Sequence, residues 1–181
     1  MQSLPLKPVS ANNPFQQWAL DFIAEIHPSS SSQHKYILTA TDYFTKWIEA
    51  IPTRNATDKV IIRFLEENIF ARFGCPRKLI TDNAQAFKSN LMISFCEKYN
   101  IILAHSTSYY PQGNGLAESS NKSLVRIIRK LLTENKKAWD SNMMYTLWAD
   151  RVSKKKSIGT SPFQLVYGTD VILPVHCVYL L

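Results

Sequence analysis

The 181-residue sequence has no run of about 18 or more apolar residues, the length a helix needs to cross a bilayer. Its opening stretch, MQSLPLKPVSANNPF, lacks the apolar segment of a secretory signal. Cysteine is scarce: Cys75, Cys96 and Cys177 stand far apart, with no CxxC and no HxxxH pair. That excludes a disulfide frame and a local zinc site, and leaves reduced, part-buried thiols as the expectation. Acids are also few, 14 against 21 Lys and Arg, for a net charge of +7. Such a balance fits either a solvated basic surface or an anionic partner, nucleic acid first. What is present is globular: 45% of residues are apolar and 19% charged, over a length that supports one domain with a core.

Residues 1–14 hold three prolines and little periodicity, and read as a linker or tail. QWALDFIAEI (17–26) reads as a strand, PSSSSQ (28–33) as a polar loop, and KYILTATDYFTKWIEAIP (35–52) as two strands with a turn near Tyr43–Thr45. Short connections make these three strands antiparallel. A helix follows, with Thr57 able to cap it and Ile62, Leu65, Ile69 and Phe73 in a stripe. Gly74 ends it and Pro76 forbids resumption. RKLIT (77–81) is a strand feeding Asp82. A helix over 89–98 turns Leu91, Phe95 and Cys96 inward, and NIILAH (100–105) reads as a buried strand. A loop rich in Ser, Tyr, Pro and Gly (106–115) leads into a long helix over 116–134. A further helix over 138–152 offers Trp139, Met143, Leu147 and Trp148 to the core. The basic loop 151–164 runs into a short capped helix, SPFQLVYG, ended by Gly168. The expected class is α/β, a mixed sheet with helices on its faces.

Three acids stand out. Asp82 follows a strand, where ligand sites of open α/β sheets lie. Asp21 interrupts an apolar strand between Leu20 and Phe22; either it faces solvent from an edge strand or it faces a partner or metal. Glu118 opens a helix whose next charges are Lys122, Arg126, Arg129 and Lys130. It can serve the helix dipole, pair with Lys122, or hold a metal against a phosphodiester. At roughly 100° per residue, Glu118, Asn121, Lys122, Val125 and Arg129 share one face, while Leu124, Ile127, Ile128 and Leu131 share the face that packs on the sheet. The first face suits a phosphate backbone. Three carboxylates of this kind can hold two Mg²⁺ ions about 3.5–4 Å apart.

Asp82 and Glu118 are separated by thirty-five residues. Around them stand ITDNAQAF (80–87) and YYPQGNGLAESSNKSL (109–124), with WALDFI (18–23) and HKYILTATDYFTKWIEAIP (34–52) upstream and LWADRVSKKKSIGTSPFQLVYG (147–168) downstream. In this order the five blocks resemble the integrase catalytic core of gypsy-like long-terminal-repeat retrotransposons, kin of the retroviral integrases. The resemblance covers about 18–174. It implies an RNase H-like fold, a five-stranded mixed sheet with helices on both sides. It implies Asp21, Asp82 and Glu118 as catalytic metal ligands for Mg²⁺ or Mn²⁺, two ions per site when DNA is bound. Water trims the 3′ ends of the element's double-stranded DNA, and the freed hydroxyl attacks target DNA, an endonuclease and a transferase step without a covalent enzyme intermediate. By the same match Gln112, Gly113, Asn114 and Gly115 fall in the loop beside the site. Asn121 and Lys122 correspond to contacts with the DNA end, and Gln112, Asn114 and Arg129 join them as DNA-binding candidates. The family's members multimerise, so a homo-oligomer is expected, with no membrane and no small-molecule substrate.

Other residues have two readings. Asn83 orients a ligand or makes an Asx turn. Asp42, absent from the family's ligand set, is a turn or strand-end residue. His105 ends a strand as a satisfied histidine or positions the loop, while His27 and His34 look exposed. Lys154–Lys156 is a solvated turn or a target-DNA contact. The sequence departs from the family at Ala84, where glycine is usual; a positive φ there would cost alanine about 1 kcal/mol. It also lacks the zinc-binding and C-terminal modules of full integrases, so the expected layout is a core fragment: tail 1–14, catalytic core 15–170, truncated tail 171–181. A catalytically inactive remnant that binds nucleic acid or protein is the alternative. A ribonuclease H is disfavoured by the PQGNG loop and the thirty-five-residue gap. Work on DNA implies a nuclear location, although no import signal is evident.

Overall fold

The computed structural model describes residues 13–23, 25–106, 115–131 and 137–171, the side chains of 115–119 and 129–131 left aside. Three strands come first: β1 (Gln17–Ile23), β2 (Tyr36–Asp42) and β3 (Ile48–Thr53). They form antiparallel pairs, as their short connections require. A helical crossover follows: α1 (Asp58–Phe64), a π-helical turn (Leu65–Phe70) and α2 (Ala71–Phe73). It delivers β4 (Lys78–Thr81) parallel to β1; α3 (Asn90–Lys98) then delivers β5 (Ile102–His105) parallel to β4. The sheet order is β3-β2-β1-β4-β5, so β1 is central. After β5 come α4 (Gly115–Leu131), α5 (Met143–Val152) and α6 (Pro162–Tyr167).

Alternation along the strands assigns the two faces. Trp18 and Leu20, with Leu38 and Ala40, pack against Ile61, Phe64, Leu65, Ile69, Met92 and Phe95 of the crossover and α3. Ile37, Ile48 and Ala50 pack on the other face against Leu124, Ile128, Met143 and Leu147 of α4 and α5, with Trp139 between them. Of the predicted Leu/Ile side of α4, Leu124, Ile127 and Ile128 are buried, and the Leu131 side chain lies outside the described residues.

Several expectations shift. The crossover buries Leu65 and Ile69 of the expected stripe, but Ile61 and Phe64 are the fully buried residues before them, with Ile62 and Phe73 only half-buried against the same cluster. The π-helical turn supplies the reason: a widened turn rotates every residue before it by about one position. Thr57 stands at the N-cap without a side-chain capping bond, whereas Ser89 and Ser161 accept from the amides of Met92 and Gln164. Leu91 is exposed and Met92 takes its place inside. The strand read as buried, β5, is a sheet edge with Ile102 63% exposed. Residues 138–142, expected to be helical, lie in turns, and α5 starts only at Met143. Gly74 (φ +83°) and Gly168 (φ +71°) end their helices as expected. Cys96 is buried, and burial with neighbouring Cys75 pushes its thiol up to about 11, so it stays protonated.

Buried acids staple the loops. Asp42, fully buried, accepts from the Phe15 amide (3.0 Å), the Thr45 amide (2.8 Å) and the Thr45 hydroxyl (2.7 Å), closing the β2–β3 turn. Burial raises its carboxyl, and these donors offset part of that rise. Glu49 lies between Arg72 (2.7 Å) and Arg151 (2.9 Å) and accepts from the Trp47 indole (2.7 Å). His34, expected to be exposed, is half-buried and holds Asp140 at 2.8 Å, docking the serine loop on the entrance to α5. His27, by contrast, keeps 77% of its side chain exposed. Burial acts to raise Asp140, but hydrogen bonds from Ser30, His34, Ser32 and the Ser141 amide outweigh it and hold the carboxyl below its ordinary value.

Asp42→Ala leaves two amides and a hydroxyl without their acceptor and is expected to lower unfolding free energy in urea by about 3 kcal/mol. A loss under about 1 kcal/mol would remove Asp42 from this role. Asp140, depressed in the fold, adds stability above the unfolded carboxyl value of about 3.9 and loses it as pH falls through the lower folded value. The stability gap between wild type and Asp140→Asn is therefore expected to narrow as pH drops from about 5 to about 3, and a constant gap over that window argues against the assignment.

Candidate active site at the ends of strands β1 and β4

Parallel pairing builds the site. The β1–β4 register matches Gln17 with Lys78, Trp18 with Leu79, Ala19 with Ile80 and Leu20 with Thr81. Asp21 follows Leu20 within β1 and Asp82 follows Thr81 directly after β4, so each acid comes one residue after the last paired residues of two neighbouring parallel strands. Asp21 is half-buried on the central strand, so the edge-strand reading of its charge does not hold. Alternation places Asp21 opposite Leu20 and Phe22, toward α4.

There it meets Asn121. The Asn121 side-chain amide donates to Asp21 Oδ2 at 2.7 Å, and its oxygen accepts from the Thr39 hydroxyl at 2.9 Å. Thr39 is the cross-strand partner of Asp21 and also reaches the Asp21 carbonyl, at 3.1 Å. Both Thr39 (0% exposed) and Asn121 (8%) are buried, which fixes the orientation of the amide and, through it, of the carboxylate. Asn121, expected as a DNA contact, is thus occupied inside the protein. Glu118 stands three residues earlier on α4, close to one helical turn; its side chain lies outside the described residues.

Asp82 leaves β4 in a tight turn. Its Oδ1 accepts from the Ala84 amide at 2.9 Å. Ala84 has φ −61° and ψ 142°, an extended conformation open to any residue, so alanine in place of glycine adds no strain. Asn83 does not make the Asx turn; its amide donates to the Ser106 carbonyl at 2.5 Å. His105 Nδ1 lies 2.8 Å from the Thr81 hydroxyl and 3.3 Å from the Asp82 carbonyl, and that hydroxyl donates to the same carbonyl at 2.9 Å. A proton on Nδ1 satisfies all three. His105 is therefore a satisfied, half-buried histidine that ties Asp82 to the start of the loop after β5.

Beside Asp21 an open hollow of about 690 Å³ is lined by Phe22, Ile23, Asn121, Lys122, Val125 and Arg126. Its floor is apolar and its rim cationic, with Lys122 and Arg126 exposed. Thr39, Arg126 and the apolar floor were not singled out from the sequence. Thr39 becomes visible only once the β1–β2 register is known, because nothing local distinguishes it from Thr41. Gln112, Gly113 and Asn114 lie outside the described residues. Gly115 is the first residue of α4, and Arg129 lies on it with its side chain outside the described set. Lys154 and Lys156 are exposed but Lys155 is not: it turns inward onto Asp150.

Among the described residues no three His, Cys, Asp or Glu side chains gather as a metal group. Asp21 and Asp82 nevertheless bring two hard carboxylates to one edge, which is the donor chemistry of Mg²⁺ and Mn²⁺. The donor chemistry of these side chains fits such an ion.

Known proteins share this fold and sequence. A chain in the cryoEM structure of the simian T-cell lymphotropic virus intasome in complex with PP2A regulatory subunit B56 gamma superposes with a TM-score of 0.74 at 21% identity, over 89% of this chain and 57% of that one. The fold is therefore the RNase H-like α/β fold. The Gag-Pol polyprotein of avian reticuloendotheliosis virus is 33% identical over 155 residues, covering 86% of this chain and 13% of the polyprotein. The Pol polyprotein of radiation murine leukemia virus (strain Kaplan) is 32% identical over 161 residues, 88% of this chain and 27% of the polyprotein. This chain thus spans a small part of the polyproteins it matches. The family described as "Integrase core domain" matches residues 11–111, which include Asp21 and Asp82. That match spans more than half of the sequence, and the chain belongs to the integrase core domain family, as a catalytic core of retroviral type.

Proposed function

We propose that this chain is the core of an integrase-type polynucleotidyl transferase that, with Mg²⁺ or Mn²⁺, trims the 3′ ends of a retroelement's double-stranded DNA and joins them to target DNA. The resemblance of the five sequence blocks supports an element of gypsy-like type. The observation that carries the reading is Asp21, gripped by Asn121 on the central strand, with Asp82 directly after the parallel neighbour β4 and Lys122 and Arg126 exposed on α4.

In this reading Asp21, Asp82 and Glu118 hold the metal. When bound, divalent ions supply charge stabilisation for the attacking and leaving oxygens. The chain's own residues do the rest. Asn121, locked by Thr39, fixes the Asp21 carboxylate, sparing reorganisation when DNA arrives. Lys122 and Arg126 face the phosphates, and the apolar floor of Phe22, Ile23 and Val125 limits water beside them. Gln112, Asn114 and Arg129 are further DNA contacts, with Gly113 and Gly115 allowing close approach of the backbone. The working form is a homo-oligomer acting in the nucleus. Ala84 sits without strain, which weakens the case for an inactive remnant.

A disintegration assay on branched DNA with Mn²⁺ asks only the core to rejoin ends. Wild type is expected to turn over, and Asp82→Asn and Glu118→Gln to fall to background while gel-shift affinity persists. Equal binding without turnover in all three supports the inactive remnant instead. Thr39→Val removes the hydroxyl that orients Asn121 at nearly constant volume, and is expected to cut the rate about 10-fold with DNA affinity unchanged. A wild-type rate in that variant separates Thr39 from the chemistry.

A further inference from the structure

The carboxylate of Asp150, near the end of α5, is completely buried. Its Oδ1 accepts from the Ser123 hydroxyl of α4 at 3.0 Å and from Lys155 Nζ at 2.5 Å. Among the described residues its Oδ2 meets no donor. A buried carboxylate with one ammonium and one hydroxyl has little reserve, since losing its cation leaves an uncompensated charge. Lys155 is itself held in place: its amide donates to Thr160, and its carbonyl accepts from Ile158 and Gly159. Ser123 lies two residues beyond Asn121, the residue that grips Asp21. The α4 segment 121–123 is thus anchored on one side by Asp21 and Thr39 and on the other by Asp150.

We propose that the Lys155–Asp150 ion pair is a brace that positions α4, making Lys155 a positioning residue for Asn121 and Asp21, while Lys154 and Lys156 alone face outward. The middle lysine of the run thus acts through the fold and not by touching DNA. The functional half of this inference rests on the integrase reading; the brace itself does not.

The test is a double-mutant cycle in the full chain. Lys155→Met is expected to lower the melting temperature by about 10 °C. The pair Asp150→Asn with Lys155→Met, which removes both charges, recovers at least half of that. Lys154→Ala with Lys156→Ala leaves the melting temperature unchanged. In disintegration, Lys155→Met lowers kcat about 10-fold with KM for DNA unchanged, and the charge-neutral pair restores most of it. The Asn121 side-chain amide resonance, followed by NMR, shifts in Lys155→Met and returns in the pair. An unaltered melting temperature in Lys155→Met overturns the brace. A lower melting temperature with kcat and the Asn121 resonance unmoved overturns the positioning role, and a raised KM at constant kcat makes Lys155 a DNA contact. Should wild type fail to turn over DNA, the integrase reading fails, and the melting and resonance data still decide the brace.

Discussion

The structure depends on one pairing that is distant in sequence: β1 against β4, in parallel. Parallel strands cannot be joined by a tight turn, so the chain first builds an antiparallel hairpin pair and then a helical crossover before it returns to β1. Closing so long a loop costs entropy that the apolar contacts beneath the crossover must offset. Trp18 and Leu20 on the strand, and Ile61, Phe64, Leu65 and Ile69 on the crossover, are all 0% exposed. The same alternation that sends Trp18 and Leu20 into that layer leaves Asp21 facing the opposite one, where α4 lies. Packing and chemistry are thus set by a single register.

Around this frame the protein uses buried carboxylates as fasteners. Asp42 closes a turn with backbone amides, Glu49 joins β3 to α2 and α5 through two guanidiniums, and Asp150 joins α5 to α4. Each needs its partners, because a buried charge without them is costly. Glu49 and Asp150 take Arg72, Arg151 and Lys155 as their partners, whereas the exposed Lys122 and Arg126 stand beside a hollow with an apolar floor.

Local signals were legible where local physics decides. Gly74 and Pro76 stop a helix, Ser161 starts one, and the Leu/Ile face of α4 finds the sheet. The failures are equally specific. Ile62 was preferred to Ile61 because a π-helical turn leaves no mark in a pattern of apolar residues. Leu91 and Met92 are adjacent and equally apolar, so only the direction from which the sheet approaches separates them. His34 looked exposed because its partner, Asp140, is 106 positions away. At the site, the acids themselves could be chosen, since Asp21 interrupts an apolar strand and Asp82 ends one. The grip of Asn121 on Asp21 was not visible locally, because that hydrogen bond crosses 100 positions.

The sequence by itself determined the strands, most of the helices and the family resemblance, because propensity, capping and alternation act over a few residues. Only the tertiary structure decided that Asp21 lies on the central strand, that Thr39 and Asn121 hold it, and that one lysine of three turns inward to Asp150. Those facts depend on register and on which faces meet, and both are set by contacts between segments far apart along the chain.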